Sequence, residues 1–197
     1  MPLIATAPKN TDYSPIEAGT YLARCVQVID LGTQTIEYMG ELKQSRKVRL
    51  AFETPTEKKI FKEENGEQPY MLSKEYTLSL GDKANLRADL ESWRGKTFTQ
   101  EELEGFDLAN ILWIPCMITV THQTSKDGQK TYARITGISK IMKWMECPDA
   151  INPLVFFSIE DWNDEVFATF SDYLQDKIYA SLEGEKHKPL SVNDFPN

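Results

Sequence analysis

Histidine is nearly absent from this chain of 197 residues, which carries only His122 and His187. A Ser-His-Asp or Cys-His arrangement would have to use His122, and no GxSxG accompanies it, so nucleophilic catalysis has no support. The three cysteines, Cys25, Cys116 and Cys147, lie far apart. With no CxxC and no HxxxH, they predict free thiols rather than a disulfide framework or a zinc site. There is no GxxxxGK[ST] and no GxGxxG, so the usual phosphate-cradling loops are missing. No apolar run approaches the ~20 residues that cross a bilayer. No charged-then-apolar leader is visible at the N-terminus, so a cytoplasmic protein is expected. No cofactor, metal or catalytic residue is expected either.

What is present is a well-supplied apolar and aromatic complement, 41% and 11% of residues, enough for a folded core. The net charge of −8 is unevenly spread. Residues 1–145 hold 19 basic and 19 acidic side chains, and residues 146–197 hold 3 and 11. The acidic excess therefore belongs to the last quarter, and the global charge does not exclude an anionic partner for the rest.

The pattern along the chain predicts β-β-β-α-β-β. Residues 1–15, with Pro2, Pro8 and Pro15, read as a loose arm. Residues 17–32 read as a long first strand ended by Gly32, and residues 33–44 as a connection. Strand two, 45–55, alternates Val48, Leu50 and Phe52 against Lys47, Arg49 and Ala51, and Pro55 stops it. Residues 57–69 form a long loop or β-finger. In strand three, 71–80, Tyr76 shares parity with Leu72, Leu78 and Leu80 and reads as core. A helix capped by Asp82 carries Leu86, Leu90 and Trp93 at helical spacing and ends at Gly95. Thr99 with Glu102 makes a capping box for a short second helix. Strands four and five, 115–123 and 130–138, flank the turn SKDG. This order is that of a five-stranded Greek-key barrel, the OB-fold, with its helix between strands three and four. The expected organisation is a barrel over 16–144 and an acidic extension over 145–197, with an amphipathic helix at 163–182.

An OB-type barrel binds unpaired nucleic acid with cations for phosphates and flat rings for bases. The candidates on its groove-lining strands and loops are Tyr38, Arg46, Lys47, Arg49, Lys58, Lys59, Phe61, Lys62, Tyr70, Lys74, Lys130, Tyr132 and Arg134. Phe61 stands out because it lies in a lysine-rich loop. The acidic extension, ending in Asp194-Phe195-Pro196-Asn197, is expected either to compete for a basic groove or to bind partner proteins. A metal-dependent nuclease is a weaker idea: Glu41-Leu42-Lys43 and Glu57-Lys58-Lys59 have E-x-K spacing, but Pro148-Asp149 follows both, in the wrong order.

Several stretches carry a resemblance. LRADLESWRGKTFTQEELEGFDLANIL (86–112) with PCMITVTH (115–122) resembles phage-encoded proteins from replication and recombination gene neighbourhoods. These are taken to be OB-fold single-stranded DNA-binding proteins. IEAGTYLARCVQVIDLGTQ (16–34), KTYARITGISK (130–140), INPLVFF (151–157) and EVFATFSDYLQDKI (165–178) resemble further parts of the same group. The likeness spans about residues 16–182. It implies single-stranded DNA binding in phage replication or recombination, within an infected bacterial cell. It also implies replication or recombination partners for the acidic segment, and no membrane. The group leads one to expect glycine where this chain has Trp113 and Trp144. The alternative is an interaction module on the same fold that recruits a recombinase or helicase, or blocks a host factor, without touching DNA. Oligomeric state is open, a homodimer included.

Overall fold

The computed structural model describes residues 14–189, except for the side chain of Tyr38. The expected N-terminal arm, apart from Ser14 and Pro15, and the Asp194–Asn197 ending lie outside the described residues.

The protein is mainly β. Five strands form an antiparallel sheet in the order β3-β2-β1-β4-β5: β1 Gly19–Tyr38, β2 Glu41–Ile60, β3 Glu67–Thr77, β4 Pro115–Thr124 and β5 Thr131–Ser139. A sixth, β6 Val155–Phe157, pairs parallel with β1 at Gln27–Ile29, on the edge that β4 leaves after Arg24. β5 approaches β3 to within 8 Å between Cα atoms, but no hydrogen-bonded ladder joins them among the described residues. Helix α1, Asn85–Arg94, follows β3, and the short α2, Gln100–Glu104, follows α1.

Strand three is found at Glu67–Thr77 and not at 71–80, with Leu78 41% exposed beyond its end, and three boundaries of β1 and β2 also differ from expectation. Gly32 does not end β1. It takes φ +67° inside the strand, at one of two register shifts, Cys25/Gln27 and Asp30/Gly32. These bulges bend β1 and let it serve both faces. Ala23, Cys25 and Val28 enter one core, and Ile29 and Leu31 enter another. The expected connection at 33–44 is a paired ribbon. Met39 and Gly40, both at positive φ, turn it with two residues, as a twisted hairpin requires. β2 does not stop at Pro55, because a bulge between Thr54 and Lys58 absorbs the proline before the strand resumes.

The first core lies inside the sheet. Val48, Leu50 and Phe52 of β2 meet Leu72 and Tyr76 of β3, Ile118 of β4 and Ile138 of β5. Leu86, Leu90 and Trp93 of α1 close it, and the Trp93 indole N–H donates to the Pro115 carbonyl at 2.9 Å. Asp82 does not cap α1. Its carboxylate pairs with Arg87 at 2.6 Å, and the helix begins after Ala84. The Thr99–Glu102 capping box is present in full.

The second core is built on the outer face of β1 by the acidic extension. The expected single helix is two, α3 Asp164–Ala168 and α4 Asp172–Tyr179. The break lets Phe167, Phe170, Leu174 and Ile178 converge on Phe157, Ile29 and Leu31. Phe157 makes edge contacts with Trp162 and Phe170 at 5.2 and 5.3 Å between ring centroids. Beyond α4 the chain stays packed, with the His187 ring stacked on Trp162 at 3.9 Å. Gly32 is where this unit comes closest to the sheet: a Cβ there would sit 2.3 Å from the Ser181 hydroxyl oxygen.

Candidate nucleic-acid interface

An open groove of about 1000 Å³ lies where β3 and β5 face each other without pairing. Its walls come from five segments: residues 14–16, the turn after β2, the first half of β3, the β4–β5 turn with the start of β5, and Asn152 of the C-terminal extension. Five expected contact residues meet there: Phe61, Lys62, Tyr70, Lys130 and Tyr132. Phe61 and Tyr70 pack edge to face at 5.1 Å. Tyr132 is 51% exposed, and Lys62 and Lys130 are exposed. Among the described residues, no Asp or Glu lines the groove, although the chain has 30 of them.

Local structure fixes these groups. In the β4–β5 turn the Ser125 N–H donates to the Lys130 carbonyl at 2.8 Å, and Gly128 takes φ +71°. The Ser125 hydroxyl donates to Asp127, and this bond, with the Gln129 N–H, holds the Asp127 carboxyl below its ordinary value. The turn therefore presents Lys130 and Tyr132 from a stiff frame. At the other wall, His122 Nε2–H donates to the Ile16 carbonyl at 2.8 Å and anchors the incoming chain. Lys59, on the far side of the same segment, contacts the Ser14 hydroxyl.

The other candidates are elsewhere. Arg46 is committed to Asp30 and Glu160, at 2.6 and 2.9 Å, and these partners raise its pKa. Arg49 is half-buried near Glu75 and Tyr173, where burial lowers its pKa. Lys74 points inward, salt-bridged to Asp89 at 2.6 Å, an atom that also accepts from the Tyr76 hydroxyl at 2.7 Å. Lys47 donates to Thr77 at 2.8 Å and lines a separate recess of about 760 Å³ that also contains Glu75 and Asp82. Arg134 donates to Gln123 on the outer face of β4 and β5. Lys58 is exposed opposite Pro69. The Tyr38 side chain lies outside the described residues. Glu41 and Glu57, from the two E-x-K triplets, sit near opposite ends of β2. Among the described residues, no group of three or more His, Cys, Asp or Glu is placed to hold a metal ion. None of the described helices is long and apolar enough to cross a membrane.

Reading the sequence alone missed Glu53 and Asn152. Glu53 lies on the outward stripe of β2 and is fully buried. It accepts from the Ile151 and Asn152 backbone N–H groups at 2.8 and 2.9 Å, and from the Asn152 amide at 2.7 Å. Arg24, its cross-strand neighbour, donates to the Cys147 and Pro148 carbonyls at 2.7 Å and lies 5.2 Å from the Trp113 ring. Trp113 adopts φ +67°, the conformation a glycine would take more readily, and Trp144 is 76% exposed. The visible signal was Glu53 itself, a lone carboxylate in the outward series Lys47, Arg49, Ala51.

No protein-family model matches the chain, and no curated protein matches it.

Proposed function

We propose that this protein is an OB-type barrel that binds single-stranded DNA without sequence preference, in phage replication or recombination. The observation that carries the reading is the groove: three rings and two lysines from separate segments, with no carboxylate among the described lining residues of an acidic protein. Rings accept any base by stacking, and lysines accept any phosphate. The strand order supports the fold assignment. β1 pairs with β2 and β4, β3 lies beside β5, and the helix falls between β3 and β4, as in a partly open OB barrel. The β4–β5 loop is one of the two loops such barrels use for oligonucleotides. The phage setting rests on the sequence resemblance.

Fluorescence anisotropy with labelled oligo-dT tests this. Tyr132→Ala and Phe61→Ala should each weaken binding about 5- to 150-fold, since a base stack contributes ~1–3 kcal/mol. Lys62→Ala with Lys130→Ala should reduce the slope of log K against log salt by about 1.4, at roughly 0.7 per phosphate contact. No detectable binding, or binding indifferent to both sets of substitutions, refutes the proposal.

A protein-interaction module on the same scaffold is the second reading. It is favoured by the commitment of Arg46 and Lys74 to internal carboxylates. In that case the titration shows no DNA binding by a folded protein that still captures a recombinase or helicase.

A further inference from the structure

The β1–β2 ribbon projects beyond the rest of the sheet, at the end opposite the groove. β2 pairs with β3 from Lys47↔Thr77 onward, and the Leu78 N–H reaches the Arg46 carbonyl at 2.8 Å. Between Glu41 and Ser45, β2 pairs only with β1 among the described residues. An isolated two-stranded ribbon is marginal in water, and an unpaired strand edge is a template for another strand. This edge has little of the usual protection. Residues 41–45 contain no proline, and their register with β1 is unbroken. Its apolar side chains are open: Ile36 is 48% exposed, Leu42 75% and Met39 87%.

We propose that the outer edge of β2 at 41–45 is a self-association surface that takes the same edge of a second copy of this chain. The two edges pair antiparallel about a two-fold axis at Leu42, turning two ribbons into one four-stranded sheet. The sequence Glu41-Leu42-Lys43 argues for this occupant. With Leu42 opposite Leu42 of the second copy, Glu41 falls opposite Lys43 of that copy, and Lys43 opposite its Glu41. Directly opposed residues in an antiparallel pair share a face, so both charge pairs and the leucine pair form together. A one-residue slip sets Leu42 against Lys43 and Glu41 against Gln44, losing all three. A lysine on an edge ordinarily deters pairing, and here a glutamate meets it. The contact is isologous and closed, so it gives a dimer and not a fibre. It leaves the groove uncovered and does not depend on the DNA-binding reading.

Sedimentation equilibrium of the full chain without DNA tests it, over roughly 1–200 µM because so small an interface is weak. The wild-type chain should pass from monomer to dimer in that range. Glu41→Lys and Lys43→Glu should each weaken the dimer about tenfold or more, since each sets like charges opposite one another twice. The double variant Glu41→Lys with Lys43→Glu should return to within about threefold of wild type, because the pairing is restored with signs exchanged. Both positions are on an exposed ribbon, and unchanged circular dichroism confirms folding. A wild-type chain that stays monomeric throughout overturns the proposal, including the case in which one of this chain's own ends covers the edge. So does a dimer that ignores the single substitutions, or one that the double variant fails to rescue.

Discussion

Replacing Glu53 by alanine would test what holds the C-terminal segment to the sheet. The side chain is fully buried and accepts three hydrogen bonds from residues 151–152. Alanine removes every one of them and strands two backbone N–H donors. A hydrogen bond to a charged group contributes ~1.5–3 kcal/mol, and an unsatisfied buried donor costs ~1–3 kcal/mol. Relief of the carboxylate's own desolvation returns part of the loss. The net destabilisation expected is about 2–4 kcal/mol. In guanidinium unfolding, with a slope of roughly 4 kcal/mol/M, the midpoint should fall by about 0.5–1 M. Trp162 reports the second core, so the difference in tryptophan fluorescence with and without Trp162→Phe isolates that unit from the signal of Trp93, Trp113 and Trp144. The Trp162-dependent signal should move most. Glu53→Gln keeps the volume and one acceptor but turns an amide N–H₂ toward the donors, and should fall between alanine and wild type. A midpoint for Glu53→Ala within about 0.1 M of wild type would refute the reasoning, since the docking would not then rest on this carboxylate.

Gly32→Ala should be costly, because the residue has φ +67° and the new Cβ would lie 2.6 Å from the Ser181 Cβ and 2.8 Å from Ile159 Cδ1. Conformational strain and overpacking together predict a loss of ~2–4 kcal/mol, read as a melting temperature about 5–15 °C lower. Acid should loosen the second core through Glu183. Burial acts to raise its pKa, but hydrogen bonds from the Thr33 hydroxyl and N–H, both 2.6 Å, outweigh it and hold the carboxyl below the usual 4.5. A depressed folded pKa gives stability that is complete above the unfolded value and is lost as pH falls through the folded one. Trp162 fluorescence should therefore show an acid transition below pH 4.5 that is reduced in Glu183→Gln, and coincident acid curves for the two proteins would contradict this.

Much of the sheet and its first helices is legible in the sequence because the signals are local. The alternation of Val48, Leu50 and Phe52, the helical spacing of Leu86, Leu90 and Trp93, and the Thr99–Glu102 box each act within a few residues. The misreadings depend on partners that the local pattern does not name. Gly32 reads as a terminator until Ser181, far along the chain, is seen against it. Asp82 reads as a cap, but Arg87 takes its carboxylate. Trp113 reads as a misfit at a glycine position, and the approach of Arg24, 5.2 Å over its ring, is not visible in the local sequence. The groove was half legible. Phe61 stood out as a ring in a polar loop, whereas its meeting with Tyr132 depends on how β5 returns beside β3.

The distribution of charge changes meaning once the fold is known. In the sequence, the acidic last quarter suggests a tail that competes with DNA for a basic surface. In the structure, Glu160 joins Asp30 on Arg46, Asp149 lies 3.1 Å from Arg24, and Lys177 returns the exchange by bonding Glu75 at 2.6 Å. These contacts match the segment to the outer face of β1, β2 and β3, while Phe157, Phe167 and Ile178 bury Ile29 and Leu31 beneath it. Removing residues 146–197 would therefore uncover an apolar face and strip Arg46 of Glu160 while leaving it on Asp30, so altered DNA binding by such a truncation could not be credited to lost competition. By the same logic, Arg46 carries little of the DNA-binding case. The weight falls on Lys62, Lys130 and the three rings, which the acidic unit leaves exposed or half-buried around an open groove.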